Sequence, residues 1–151
     1  MAATTLVLIG SSVLGTVSTR RSAETVARSA ALAEAYDRAH DAVTAEESLE
    51  RKYRLEPSDA VRGQSRAAGD DLDAALRDVK AAGGPADRRL ADRVGVLHSE
   101  YRAGVTQMFA AADAHDDATV ERLDAQRTDP AFTQLSALVK AATDEHARAA
   151  A

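Results

Sequence analysis

Apolar and small residues recur at alternating spacings of three and four along most of this chain, which is the period of α-helices with one buried face. Pro57 and the run Gly83-Gly84-Pro85 fall at the ends of these periodic segments, where they end one helix and allow the next to begin. The pattern predicts helices at about residues 22–53, 58–82, 85–115 and 117–151. Because proline lacks a backbone N–H, we expect a kink in the last helix near 129–130.

The predicted helices carry continuous apolar seams. The seam of the third helix is the clearest and comprises Leu90, Val94, Leu97, Tyr101, Val105, Met108 and Ala112. The first helix has a similar seam with the carboxylate of Glu46 inside it: Leu32, Tyr36, Ala39, Val43, Glu46, Leu49 and Tyr53. Burial of each large apolar side chain contributes about 1.5 to 3 kcal/mol, so these faces require partners. Short turns between the helices favour an all-α, up-down-up-down antiparallel four-helix bundle.

The helix ends have recognisable signals. Pro57 ends the first helix, and Ser58 or Asp59 can cap the second. Gly83-Gly84 stops the second helix, and an aspartate near 115–117 can cap the fourth. These signals place the turns of the bundle.

The run from Ala2 to Val17 contains no charged residue, and we interpret residues 1–19 as a partial transmembrane segment. As a helix, sixteen residues span about 24 Å, which is less than the roughly 30 Å of a hydrocarbon core. A signal peptide and a buried first helix are alternatives, although the basic pair Arg20-Arg21 follows the run where a cleavage site would be expected. The membrane orientation stays open, since these arginines favour a cytoplasmic side for the segment that follows. Residues 20–151 form the predicted bundle domain.

Composition supports helices and excludes several function classes. The apolar fraction of 45% is mostly alanine, with three Tyr, two Phe and no Trp, which favours closely packed helices over a sheet. A net charge of −5 without a concentrated basic surface argues against nucleic acid as a partner. The chain has no cysteine, so thiolate chemistry and disulfides are absent.

No catalytic, cofactor-binding or metal-binding residue is predicted. The four histidines lie on separate segments without a repeated carboxylate spacing of the kind found in di-iron bundles, and His40 is expected to be solvated or partly buried. Ser48 and Ser65 lack a recognisable base or nucleophile-elbow motif. We therefore expect no enzyme activity and no cofactor in this segment. A bundle enzyme that holds a cofactor is the less favoured interpretation.

One charged group at the end of the first helix is the candidate recognition site. Its members are Glu46, Glu47, Glu50, Arg51, Lys52 and Arg54. Glu47 and Arg51 are four residues apart, as are Glu50 and Arg54, a spacing that favours ion pairs. The ordinary explanation is a solvated helix face, and the functional one is a polar patch that recognises a partner or fixes dimer register.

The whole chain resembles the four-helix-bundle sensor domains of bacterial transmembrane receptors. Two segments, EESLERKYRLEP at 46–57 and TDPAFTQLSALVKAATDEH at 128–146, more narrowly resemble the N-terminal input region of actinobacterial signalling proteins with GGDEF and EAL output domains. The resemblance implies an extracytoplasmic input module for a cyclic-di-GMP enzyme, a histidine kinase or a chemoreceptor. No output motif occurs in this sequence.

The expected function is therefore relay of ligand or partner binding, by helix displacement, to an output domain. The alternative is a stand-alone helical interaction module that is either membrane-anchored or secreted. The expected partners are a second copy of the chain, the membrane through residues 1–19, and an unidentified small molecule or protein.

Overall fold

A computed structural model describes the backbone of residues 5–150 and the side chains of residues 23–149, and its regular structure is helical throughout that part of the chain. The helices are α1 (Thr5–Leu55), α2 (Asp59–Ala82), α3 (Pro85–Asp113), α4 (Asp117–Leu123) and α5 (Asp129–Ala150). A π-helical turn, Asp124–Thr128, joins α4 to α5, so these three elements form one continuous helical run. The predicted all-α class is confirmed.

The helices form a four-membered bundle in which α1 packs along α2 and α5, and α3 packs between the same two neighbours. Tyr53, near the end of α1, contacts Arg62 at the start of α2 and Asp113 at the end of α3. At the opposite end, Tyr36 lies beside Asp87 at the start of α3. Successive helices therefore run in opposite directions. We call the half around Tyr36 the proximal half and the half around Tyr53 the distal half.

The membrane segment expected at residues 1–19 lies outside the residues whose side chains are described. Within the described residues, no helix is long and apolar enough to cross a bilayer.

The turns use the predicted caps. The side chain of Ser58 accepts a hydrogen bond from the N–H of Val61 at 3.3 Å, which satisfies one free donor at the start of α2. Asp116 accepts in the same way from the N–H of Thr119 at 3.0 Å. Just before that cap, His115 adopts a left-handed backbone conformation, with φ of 56°, to turn the chain out of α3.

Two core clusters fill the bundle. The proximal cluster is aliphatic apart from Tyr36, and its larger buried members are Leu32, Tyr36, Val43, Leu72, Leu76, Val79, Val94, Leu135 and Val139. The distal cluster is more aromatic and comprises Tyr53, Val61, Tyr101, Val105, Phe109 and Ala112. The seams predicted for the first and third helices supply four of the six distal members and five of the fifteen proximal ones, and the second and last helices contribute most of the rest of the proximal cluster.

The π turn lies immediately before Pro130, where a kink was expected. Pro130 has no N–H to continue the α-helical pairing, and the N–H of Asp129 bonds instead to the carbonyl of Asp124, five residues back. Gly104 of α3 faces this turn, and a Cβ there would lie only 3.0 Å from Cγ2 of Thr128. Glycine at 104 therefore permits close approach of α3 to the π turn.

Candidate functional site

Between the two clusters lies a group of polar side chains that we call the buried polar layer, in which Glu46 and His98 are buried while Asp73 and Arg102 form its half-exposed edge. It consists of Glu46 on α1, Asp73 on α2, and His98 and Arg102 on α3. Glu46 lies in the α1 seam between Val43 and Tyr53, so helical periodicity turns its carboxylate into the interior. The layer joins three of the four helices through polar side chains.

His98 is the centre of the layer. It is only 1% exposed, and its Nε2 lies 2.9 Å from Oε2 of Glu46, which is itself 3% exposed. Its Nδ1 lies 3.2 Å from Oδ1 of Asp73. Ionised carboxylates only accept hydrogen bonds, so both bonds are satisfied together when the imidazole carries two N–H groups. In that form His98 compensates the buried negative charge of Glu46.

Gly69 makes room for this charge in the middle of α2. A Cβ at position 69 would lie 2.7 Å from Oε1 of Glu46 and 3.4 Å from the guanidinium of Arg102. Glycine within a helix costs roughly 1 kcal/mol relative to alanine. The packing of Glu46 against the α2 backbone gives a physical reason for glycine at this position.

A second buried carboxylate, Glu50, lies one turn further along α1 and faces the π turn. Glu50 is 4% exposed, and its Oε1 lies 2.9 Å from Nε of Arg54. Burial raises the pKa of Glu50 to about 7, even though the Arg54 charge acts in the opposite direction. Arg54 also reaches Asp124 in the π turn, with Nη1 2.5 Å from Oδ2. Glu50 therefore couples the end of α1 to the irregular part of the last helical run.

Tyr101 extends the buried polar character into the distal cluster. Its hydroxyl is buried and has no hydrogen-bond partner among the described residues. Burial raises the pKa of Tyr101, and the nearby charges of Glu50 and Glu46 raise it further. The phenol is therefore neutral at physiological pH.

Beside the layer, a cavity of about 180 Å³ opens between α2 and α3. We call it the arginine pocket, and its lining residues are Glu46, Arg62, Ser65, Arg66, Arg102, Val105, Thr106 and Phe109. Glu46 and Arg102 belong to both the pocket and the buried polar layer. A molecule in the pocket would touch the polar interior directly.

The six residues predicted as one recognition patch are divided by the fold. Glu46 and Glu50 are buried, which corrects the interpretation of these two as part of a solvated face. The other four are Glu47, Arg51, Lys52 and Arg54, and they are exposed or half-buried. Both ion pairs expected at four-residue spacing are present. The division arises because positions 46, 50 and 53 share the inward face of α1. Recognition by the outward members stays a prediction.

Asp73, His98 and Arg102 were not predicted from the sequence as members of a site. A signal for His98 was available, since it lies four residues after Val94 and three before Tyr101, both in the α3 seam. Its carboxylate partners come from other helices, and spacing along one helix cannot reveal them. His146 also has a carboxylate partner from another helix, with its Nε2 3.0 Å from Oδ1 of Asp87. His40 is partly buried, within the expectation for it.

Two further polar clusters fix the ends of the bundle. In the proximal half, Asp87 accepts hydrogen bonds from Tyr36 at 3.1 Å and from the N–H of Gly84 at 2.9 Å, and His146 stacks on Tyr36. Burial raises the pKa of Asp87, but the hydrogen bonds from Gly84, Tyr36 and His146 outweigh burial and lower it overall.

In the distal half, Asp113 accepts from both Tyr53 and Arg62, and these bonds lower its pKa. Tyr53 also stacks on Phe109, with ring centroids 3.9 Å apart. Each of these end clusters joins three helices. Within the described residues, no group of three or more His, Asp or Glu side chains is arranged to hold a metal ion.

Comparison with known proteins gives a fold likeness. No protein family matches this sequence, and no curated protein matches it. Among solved structures, the chain is similar to the periplasmic sensor domain of a sensor histidine kinase, with a TM-score of 0.66 and 20% sequence identity. The match covers 79% of this chain and 83% of that chain. The chain therefore has the fold of that helical domain.

Proposed function

We propose that this chain is the extracytoplasmic input module of a bacterial membrane signal-transduction protein. The observation that carries the proposal is the fold likeness to the periplasmic sensor domain of a histidine kinase over 79% of the chain. The buried polar layer supports it, because charges held between three helices make helix packing responsive to a bound ligand or partner. The module itself carries out no reaction.

The finer parts of the proposal rest on the sequence. Residues 1–19 anchor the module in the cell membrane, and residues 20–151 lie outside the cytoplasm. The active unit is a homodimer, as coupled receptors require two copies of the input module. The output domain is a histidine kinase or, following the narrower resemblance, a GGDEF and EAL enzyme of cyclic-di-GMP signalling.

Signal relay occurs by displacement of α1 relative to α5, since the first and last helices are the two that lead towards the membrane. These helices pack along each other in the proximal half, where Oγ1 of Thr143 donates to the carbonyl of Tyr36 at 3.3 Å. A bound ligand or partner favours one of two arrangements by its differential affinity, and a few kcal/mol suffices to shift the populations.

Disulfide crosslinking tests the relay directly, since the chain contains no cysteine of its own. The full chain is joined to the second membrane helix and kinase domain of a characterised histidine kinase, and autophosphorylation is measured before and after oxidation. The test pair is His40→Cys with Thr143→Cys, which links α1 to α5. The control pair is Arg38→Cys on α1 with Asp78→Cys on α2, where Nη2 of Arg38 lies 2.8 Å from Oδ2 of Asp78. Because cysteine is shorter than either native side chain, this pair is joined by a reducible bifunctional thiol reagent.

We expect the α1 to α5 crosslink to hold kinase activity at one level, and a reducing agent to restore the original activity. The α1 to α2 crosslink should leave kinase activity unchanged. Efficient crosslinking of the first pair without any change in phosphorylation would contradict the relay. That result would favour a stand-alone interaction module.

A further inference from the structure

The arginine pocket collects positive charge on a protein whose net charge is −5. Arg62 and Arg66 of α2 and Arg102 of α3 all line it. Guanidinium groups bind carboxylate and phosphate oxygens with two parallel N–H donors, which makes arginine the preferred residue for oxyanions. Convergence of three arginines from two helices points to an anionic ligand.

The three arginines differ in how far they are already engaged. Arg62 is held by Asp113 and lies over the ring of Phe109, 5.7 Å from its centroid. Among the described residues, Arg102 makes only long ion pairs, with Nη1 3.5 Å from Oδ2 of Asp73 and 3.6 Å from Oδ1 of Asp70. Arg66 has no ion pair or hydrogen bond of its side chain within the described residues. Donors therefore remain for a ligand.

Glu46, also in the lining, does not cancel this positive charge. Its Oε2 lies 2.9 Å from Nε2 of His98, and the three arginines outnumber this single carboxylate in the lining, so positive charge predominates there. The hydroxyls of Ser65 and Thr106 add polar contacts, while Phe109 and Val105 form an apolar wall. A volume of about 180 Å³ is smaller than the roughly 300 Å³ at which pockets for drug-sized ligands begin. The ligand must be compact.

We propose that the arginine pocket binds a compact oxyanion, a phosphate or a small carboxylate, between α2 and α3. The oxyanion engages Arg66 and draws Arg102 away from Asp70 and Asp73. Because Asp73 also bonds His98, binding alters the contacts of the buried polar layer. This inference rests on the proposed function only for its signalling consequence, since binding itself is measurable on the isolated chain.

The test is titration calorimetry of the full chain with inorganic phosphate and, separately, with malonate, with chloride used to hold ionic strength constant. We expect one bound anion per chain. Binding of phosphate alone identifies a phosphate ligand, and tighter binding of malonate identifies a carboxylate. Absence of binding by both anions at millimolar concentrations overturns the proposal.

Matched variants locate the site. Arg66→Gln removes a partner-free pocket arginine, and we expect affinity to fall about tenfold to a hundredfold, the usual effect of losing a charged hydrogen-bond donor. Arg89→Gln removes the same charge from an exposed position of α3 outside the pocket and should leave affinity unchanged. Equal losses in both variants would indicate general charge screening and overturn the proposal.

The two phenylalanines provide an independent readout, since Phe109 lines the pocket and Phe132 does not. In chain labelled with fluorophenylalanine, the ¹⁹F resonance of Phe109 should shift on addition of the anion while that of Phe132 stays in place. Movement of both or of neither resonance counts against the pocket. If the anion binds but the α1 to α5 crosslink leaves kinase activity unchanged, the relay is overturned and the pocket stands. If the crosslink changes kinase activity but neither anion binds, the pocket is overturned and the relay stands.

Discussion

The proximal and distal halves of the bundle are built from the same four helical runs but enclose different interiors. The proximal half closes on aliphatic side chains such as Leu72 and Leu135, both 0% exposed. From the middle of the bundle into the distal half, the interior holds Glu46, His98 and Glu50 among aromatic rings. Apolar burial is indifferent to pH and ligands, whereas buried charges respond to both. Apolar burial in the proximal core therefore contributes stability that does not depend on pH, whereas the buried Glu50 carboxylate makes a contribution that does.

The largest effect is expected from removal of the central histidine. His98→Ala leaves the buried Glu46 carboxylate without its hydrogen-bond partner, and we expect the free energy of unfolding to fall by about 3 to 5 kcal/mol in urea titration. The matched control is the double variant Glu46→Met with His98→Leu, which replaces the pair by apolar groups and should recover most of that loss. A loss of less than about 1 kcal/mol in His98→Ala would contradict a large contribution of the Glu46–His98 contact to stability.

In the proximal half, Leu135→Ala should lower the free energy of unfolding by about 3 kcal/mol, because it removes apolar contacts and leaves a cavity in a fully buried site. This loss should be the same at pH 5 and pH 8. A loss of unfolding free energy that changes with pH would show that packing in the proximal half is coupled to the buried titratable groups.

Glu50→Gln should stabilise the protein at alkaline pH. The folded-state pKa of about 7 lies above the ordinary value of 4.5, so wild-type stability from this group is fully present below pH 4.5 and is lost as pH rises to 7. At about 1.4 kcal/mol for each pH unit, the variant gains at most about 3 kcal/mol above pH 7 and almost nothing below pH 4.5. Thermal unfolding across this range measures the difference. Glu47→Gln, on the outer side of α1, serves as the control, and a gain independent of pH would refute the assignment to Glu50.

Two glycines of α2 separate packing from helix propensity. Gly69→Ala places a methyl group against Glu46, and we expect a net loss of about 1 kcal/mol after the gain in propensity is counted. Gly63→Ala, where no atom of the described residues meets the added Cβ within 4 Å, should instead gain up to about 1 kcal/mol. Chemical unfolding of both variants measures their free energies of unfolding relative to the wild type. Equal stabilisation would mean that the α2 backbone has room beside Glu46.

The smallest effect is expected on the surface of α1. Arg51→Ala breaks the ion pair with Glu47, and because Arg51 is largely exposed, the change in unfolding free energy should stay below about 0.5 kcal/mol. Sedimentation equilibrium of the same variant tests the predicted role of this outward group in dimer register. If Arg51→Ala associates as strongly as the wild type, Arg51 has no role in dimer register.

The apolar seams were predictable because a helix buries one face at a fixed period. Tyr36, Val43 and Tyr53 occupy the interior positions that their spacing indicates. The position of Glu46 in the seam was also visible. Its partner was not, since His98 lies 52 residues further along the chain, and Asp73, the other carboxylate that contacts His98, lies 25 residues before His98. Such contacts arise only from the packing of one helix on another.

By itself, the sequence determined the helical class, the turns and the inward faces, because periodicity, capping and proline act within a few residues of one another. The tertiary structure alone decided which charges became buried and which met. Glu50 and Glu47 are three residues apart and chemically identical, yet one is sealed against the π turn and the other pairs at the surface. Side chains from separate helices create the pocket and the polar layer, and no local pattern specifies that convergence.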